Sequence, residues 1–254
     1  MSAPAITYIG GPTALLEYAG LRILLDPTFD EPRTYPSPGT PLVKTAGPAL
    51  PIAALEPIDL VLLSHHAHED NLDDAGRELA LRVPVTLSTP QAEAELGAPV
   101  IGLKSWQKHQ VGSVTVTGLP GHHGPRAVRP LIGPVVGFLL EAPGEPTVYV
   151  SGDNASVEVV AEIAAEFGPF DSAVLFCGGA EVPEIWGEKV YLTLTPDTAV
   201  EVARLLGNAP IVPVHQEGWA HFSFGPDDLR QGFEEAGIGE RLRDVAPGQQ
   251  VPLA

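Results

Sequence analysis

Short apolar runs, broken by glycine and proline, alternate along this chain with longer stretches of helical periodicity. Ala5-Ile6-Thr7-Tyr8-Ile9, Thr13 to Tyr18 and Arg22 to Leu25 are strand-length and are separated by Gly10-Gly11-Pro12 and Ala19-Gly20 turns. Asp26-Pro27 ends the third run; Asp26 stands where a ligand could stand, but an acid before proline reads first as a turn. Phe29 to Pro57 is crowded with proline, glycine, serine and threonine and reads as a long surface loop, a flap beside whatever site the chain builds. Strand pattern returns from Asp59 to Ser64, and Leu72, Ala75, Leu79 and Ala80 then recur at helical spacing.

Beyond this point the two periods keep alternating. Strands are expected at 83–88, 100–103, 114–118 and 172–176, a hairpin-like pair at 135–141 and 148–151, and a last strand at Ile211-Val212-Pro213-Val214. Helices are expected over 91–96, 157–167 and 226–235, and after Thr195, with Thr89-Pro90 and Thr195-Pro196 as capping residue and first-turn proline. No linker or repeat divides the chain. The interleaving predicts one α/β domain over residues 1–254.

Titratable residues collect where strands give way to loops. Leu60 to Leu63 runs into Ser64-His65-His66-Ala67-His68-Glu69-Asp70-Asn71, three imidazoles and two carboxylates in succession. Imidazole nitrogen and carboxylate oxygen are the donors of divalent metals. Residues two apart at the end of an extended segment point the same way, so His66 and His68 can grip one ion from one side, with Asp70 reaching a second beside it. His122-His123, between Gly121 and Gly124, follows the 114–118 strand; Asp153 follows Ser151-Gly152, and His215 follows Val214. Taken singly, a polar turn explains each of these as well. Their common placement at strand ends is what argues for a shared rim.

Composition narrows the partners. Fourteen basic against 32 acidic residues give a net charge of −18, a field that repels nucleic acid and anionic lipid. A small anionic substrate held at a metal centre is still compatible, because ions dominate locally. No run approaches the roughly 20 apolar residues of a membrane helix. The start Met1-Ser2-Ala3-Pro4 lacks signal-peptide character, and the lone Cys177 suits a reducing cytoplasm, so a cytoplasmic protein is expected. Cys177 itself reads as a buried structural thiol. A homo-oligomer is left open.

Taken as a set, these residues resemble the metallo-β-lactamase fold superfamily. His66-Ala67-His68-Glu69-Asp70-Asn71 resembles its His-x-His-x-Asp-His motif, Ser151-Gly152-Asp153 its bridging-aspartate strand, and Val214-His215 its last ligand. Ile6 to Gly10, Leu25-Asp26-Pro27, His123-Gly124-Pro125 and His215-Gln216-Glu217-Gly218-Trp219 are similar to the branch that includes L-ascorbate-6-phosphate lactonase and N-acyl phosphatidylethanolamine phospholipase D. The resemblance runs through almost the whole chain. It implies a four-layer αββα sandwich, α/β (α+β) in class, with one or two divalent ions at one edge: zinc first, manganese or iron next. Carried over by position, the first ion takes His66, His68 and His123; the second takes Asp70, Asp153 and His215, with Asp153 bridging. Two departures follow. Asn71 stands where the pattern has histidine, a weaker donor that leaves the second ion looser, changed or absent. Some relatives carry an acid where His66 stands, which shifts the first ligand to His65 through a bulged loop. His68 and Asp70 hold in either register.

The chemistry so implied is hydrolysis of a small ester, lactone or phosphodiester by metal-bound hydroxide, since a bound ion brings the pKa of its water towards about 7. Asp70 would orient the nucleophile. His221, beside Trp219 and Phe222, is a candidate for substrate contact or oxyanion support, or else a packed ring. Arg126 and Arg129 after His123 could meet an anionic substrate but read rather as solvated charges. Alternatives on the same scaffold are a ligand-binding protein with a decayed second site, for which Asn71 speaks, and an RNA-processing nuclease, against which the charge speaks. Di-iron redox chemistry would want a flavin domain that this chain does not show. No Gly-x-Ser-x-Gly elbow, Gly-x-Gly-x-x-Gly or Walker loop is present.

Overall fold

The computed structural model describes residues 3–36, 41–185 and 188–253. The chain opens with an antiparallel meander, β1 (Ala5–Gly10), β2 (Thr13–Tyr18) and β3 (Leu21–Leu25). The expected long loop follows, partly outside the described residues. It carries a short hairpin, β4 (Thr34–Tyr35) with β5 (Leu42–Val43), and one helical turn, α1 (Ile52–Leu55), that its composition did not announce. Then come β6 (Leu60–Leu62), α2 (Asp74–Ala80), β7 (Thr86–Ser88), α3 (Pro90–Leu96) and β8 (Val100–Gly102). β6, β7 and β8 run parallel to β3.

The second half starts with β9 (Lys108–Val111), β10 (Val114–Pro120), the short α4 (Arg129–Ile132), β11 (Val136–Glu141) and β12 (Val148–Val150), the four strands pairing antiparallel with one another in that order. After α5 (Val157–Phe167) comes β13 (Ser172–Phe176), then a hairpin of β14 (Glu181–Ile185) and β15 (Glu188–Tyr191). α6 (Pro196–Leu205) leads to β16 (Ile211–Val214), and α7 (Pro226–Glu235) precedes β17 (Gln250–Pro252), which returns to pair with β1. The two large sheets have the orders β17-β1-β2-β3-β6-β7-β8 and β16-β13-β12-β11-β10-β9.

Strand alternation decides the layers. Ile6, Tyr8, Leu16, Ile23, Leu25 and Leu62 meet Val116, Phe138, Val150, Val174, Phe176 and Val214 in a core between the sheets. The opposite faces are covered too: Leu15, Leu24, Val61 and Leu63 by Leu72 and Leu79 about α2; Leu139, Leu175 and Ile211 by Val160, Ile163, Ala199, Val202 and Phe233. Both faces of both sheets are thus buried, which is why the central strands read as unbroken apolar runs. The result is the four-layer αββα sandwich that the resemblance implied. None of the described helices is long and apolar enough to cross a membrane.

This topology points one set of strand ends at one rim. β3 and β6 are parallel in the first sheet; β12, β13 and β16 are parallel in the second, and β10 shares their direction. The rims meet where Val136 N donates to Ser64 O at 3.0 Å. Asp26, Ser64, His123, Asp153 and His215 all lie just past these ends.

Candidate metal centre

Each strand delivers its residue by a sharp change of direction. His215 leaves β16 in the left-handed region, φ 59°, and its N–H donates to Gly11 O at 2.6 Å. A non-glycine residue held there costs on the order of 1–3 kcal/mol and is characteristic of functional positions. Gly178 makes room for that turn: a Cβ at 178 would stand 2.1 Å from His215 O. Gly152 plays the same part before Asp153, with φ 55° and the Val136 carbonyl where a Cβ would go.

Two groups of donors result. Ring nitrogens of His65, His68 and His123 lie within 4.8 Å of one another, and so do donor atoms of Asp70, Asp153 and His215. His65 Nε2 is 2.7 Å from His68 Nδ1, and His123 Nε2 is 3.3 Å from it. Outer hydrogen bonds set the tautomers, as they do for metal-binding histidines generally. His123 Nδ1 must donate to the Leu192 carbonyl at 2.9 Å, which leaves a lone pair on Nε2. Ser64 Oγ donates to Asp26 Oδ2 at 2.6 Å and so accepts from His65 Nδ1 at 3.1 Å, baring His65 Nε2 in the same way.

The histidine that faces this group is therefore His65, whereas period-two alternation selects His66. That argument needs an extended chain, and β6 stops at Leu62, after which the segment bends. His66 turns to Glu95 on α3, Nε2 to Oε2 2.8 Å. Asn71 makes its hydrogen bonds through the amide nitrogen, while its Oδ1, the atom expected to act as a weak ligand, is buried with no hydrogen-bond partner. Its Nδ2 donates to Asp153 Oδ1 at 2.9 Å, Asp26 Oδ2 at 3.0 Å and Ser64 Oγ at 3.3 Å. His122 stays outside, its backbone N–H held by Asn154 Oδ1. His221 Nε2 lies 2.9 Å from Asp70 Oδ2, with Trp219 edge-on at 6.3 Å. Arg129 lines the neighbouring cavity and donates to Gly124 O, while Arg126 is exposed.

Asp26 has a larger part than a turn residue. It is buried with φ 30°, and its carboxylate accepts from Ser64 N, Ser64 Oγ and Asn71 Nδ2. A turn needs only the local Asp-Pro chemistry, so that signal could not reveal the long-range bonds. Burial pushes its carboxyl up to about 7 despite those donors. Burial, with the charges of Asp70 and Asp26, also drives Asp153 well above the carboxylate range. For Asp70 burial acts in the same sense, but the facing His221 and His215 outweigh it and hold the group well below that range. Burial lowers all four imidazoles, His65, His68, His123 and His215, with His123 falling to about 3.

The donor set fits divalent cations. Asp153 Oδ2 is buried with no hydrogen-bond partner, 3.8 Å from His123 Nε2 and 3.7 Å from His215 Nε2. A carboxyl oxygen buried beside two imidazole nitrogens with no donor of its own is a position that a cation would satisfy, and a cation there would favour the ionised carboxylate.

Acid should destabilise the metal-free protein. Below about pH 6.5 the unfolded chain protonates four rings whose protonation burial opposes in the native state. The native state holds protons on Asp26 and Asp153 that the unfolded chain releases, an opposing effect of two. The four lowered imidazoles outnumber the two raised carboxyls, so in acid the unfolded state binds more protons and stability falls as pH falls, by up to about 1.4 kcal/mol per pH unit for each net proton. Unfolding midpoints in denaturant, followed from pH 7 to 5 after chelation, are expected to fall; a flat or rising profile would contradict this balance.

Two donor groups at the rim of a double-sheet sandwich define a metal-dependent enzyme class, and comparison agrees. The sequence profile of the beta-lactamase superfamily domain matches residues 21–216, and the chain belongs to that superfamily. It is a metal-dependent hydrolase of this fold. Among its relatives is a UPF0173 metal-dependent hydrolase of Pyrococcus abyssi (strain GE5 / Orsay), 25% identical over 204 residues, 77% of this chain and 82% of the relative. An uncharacterized protein of Mycobacterium tuberculosis (strain ATCC 25618 / H37Rv) is 29% identical over 263 residues, 98% of this chain and 66% of the relative. Two crystal structures share the fold. A possible metal-dependent hydrolase from Veillonella parvula DSM 2008 has a TM-score of 0.85 at 21% identity, covering 99% of this chain and 100% of that one. Isothiocyanate hydrolase from Delia radicum gut bacteria has 0.83 at 23%, covering 97% and 98%.

Proposed function

We propose that this hydrolase cleaves a small ester, lactone or phosphodiester with one or two divalent ions, zinc foremost, held by His65, His68 and His123 and by Asp70, Asp153 and His215. The observation that carries this is the buried, unpartnered Oδ2 of Asp153 between the two groups. When bound, such ions acidify water and polarise a carbonyl or phosphoryl oxygen.

The chain's own residues do the rest. Asp70, kept ionised beside His215 and His221, accepts a hydrogen bond from the attacking water and orients it. Asp153, fixed through Oδ1 by Asn71, keeps Oδ2 directed between the groups. A 530 Å³ cavity opens beside His123, lined among others by Gln91, Arg129, Leu131 and Pro134. That volume suits a small molecule. Leu131, 81% exposed, offers apolar contact at its mouth and Arg129 a cationic one. His123-Gly124-Pro125 and His215 to Trp219 support placement in the lactonase and phospholipase D branch.

Chelation is expected to abolish turnover of a panel of lactones, aryl esters and phosphodiesters, and zinc or manganese to restore it. Protein that takes up no metal after full loading would remove this reading.

A further inference from the structure

His221 is the imidazole that the two donor groups leave over. It reaches the second group through Asp70: its Nε2 lies 2.9 Å from Asp70 Oδ2, the oxygen that His215 Nε2 approaches at 3.2 Å. Its Nδ1 is buried without a partner. The ring sits on the loop after β16, and that loop is pinned on both sides of it. Ala220 N donates to Val43 O at 3.0 Å, and His221 O accepts from Glu181 N at 2.9 Å. The adjacent Phe222 ring lies 4.6 Å from it, centre to centre.

The second group needs such a ring. The first has three imidazoles, whereas the second has two carboxylates and one imidazole. Position 71 adds no imidazole: the Asn71 Nδ2 donates to Asp153, Asp26 and Ser64, and its Oδ1 is a neutral amide oxygen without a hydrogen-bond partner, a weaker donor than a ring nitrogen. Borderline ions bound by protein take four donors and favour imidazole among them.

We infer that the second cation site draws its missing imidazole from His221, and that Asn71 has become a positioning residue for Asp153. This rests on the binuclear hydrolase reading above. His221 then belongs to the ion rather than to the substrate, and the loop after β16 closes the site by ligation.

The test reads metal binding directly. Chelator-stripped full-length protein is titrated with zinc against a chromophoric chelator and, separately, with cobalt(II) followed by absorption. Two equivalents are expected for the parent protein. His221→Ala is expected to weaken only the second, by at least about 100-fold, more than loss of an outer-sphere partner costs. His221→Cys should keep it and add a thiolate-to-cobalt charge-transfer band; Cys177, buried in the core, adds no such signal. Asn71→His in the His221→Ala background should recover most of the lost affinity. Circular dichroism confirms the fold of each variant. The inference is overturned if His221→Ala holds two ions as tightly as the parent, if His221→Cys shows no charge-transfer band, or if the parent binds one ion. A parent that binds none overturns the hydrolase reading instead.

Discussion

His65→Ala is expected to strip the first ion and reduce turnover to background, while His66→Ala keeps both ions and most of the activity. The two side chains are neighbours of the same type, so the contrast tests geometry alone. His65 Nε2 stands 2.7 Å from His68 Nδ1, with its other nitrogen held by Ser64. Removing it leaves two imidazoles where the group had three. Loss of an outer partner costs roughly 10- to 100-fold in metal affinity, and loss of a donor aimed at the ion costs more. His66, itself buried, instead spends Nε2 on a hydrogen bond to Glu95 of α3, whose side chain is 53% exposed. A single hydrogen bond of that kind contributes about 0.5–1.5 kcal/mol. Metal content of the two purified variants checks the prediction. Equal loss from both, or loss from His66→Ala alone, would return the first ligand to position 66.

That contrast marks where sequence reading runs out. The rim itself was legible, because Asp153, His123 and His215 each follow a strand whose apolar alternation is plain, and parallel strands bring their ends together. Thr89-Pro90 and Thr195-Pro196 were legible for a local reason: both threonines cap as expected, accepting from Ala92 N and Thr198 N. β9, Lys-His-Gln-Val, has no apolar face to announce it and is ordered by its pairing with β10. The register at 65–68 depends on where β6 stops bending to the sheet, a tertiary event with no local signal. Asp26, Asn71 and Ser64 form one hydrogen-bonded knot drawn from positions up to 45 residues apart. Nothing in an Asp-Pro pair foretells that.

Asp73→Ala is expected to be the most destabilising single substitution outside the metal centre, at about 3–5 kcal/mol, the usual cost of leaving a buried charge unpaired. Asp73 is fully buried and caps α2. Its Oδ1 accepts from Phe29 N at 2.9 Å and Gly76 N at 2.8 Å; its Oδ2 accepts from Asp30 N at 2.7 Å and Lys44 Nζ at 2.8 Å. One carboxylate thus ties the start of the 29–57 segment, the first turn of α2 and a lysine 4% exposed. Lys44 in turn lies over the Trp219 ring at 5.6 Å, two residues from His221, so the same tie holds the flap against the site. Alanine would strand the ammonium and three backbone donors at once. Lys44→Met is expected to cost less, because Asp73 keeps its three N–H donors and the thioether chain fills the lysine's space. Against a total stability of about 5–15 kcal/mol the first loss is large. Urea midpoints of the two variants, with Asp73→Asn as a milder third, decide the matter. A cost for Asp73→Ala below that of Lys44→Met would show that the lysine, rather than the carboxylate, organises this segment.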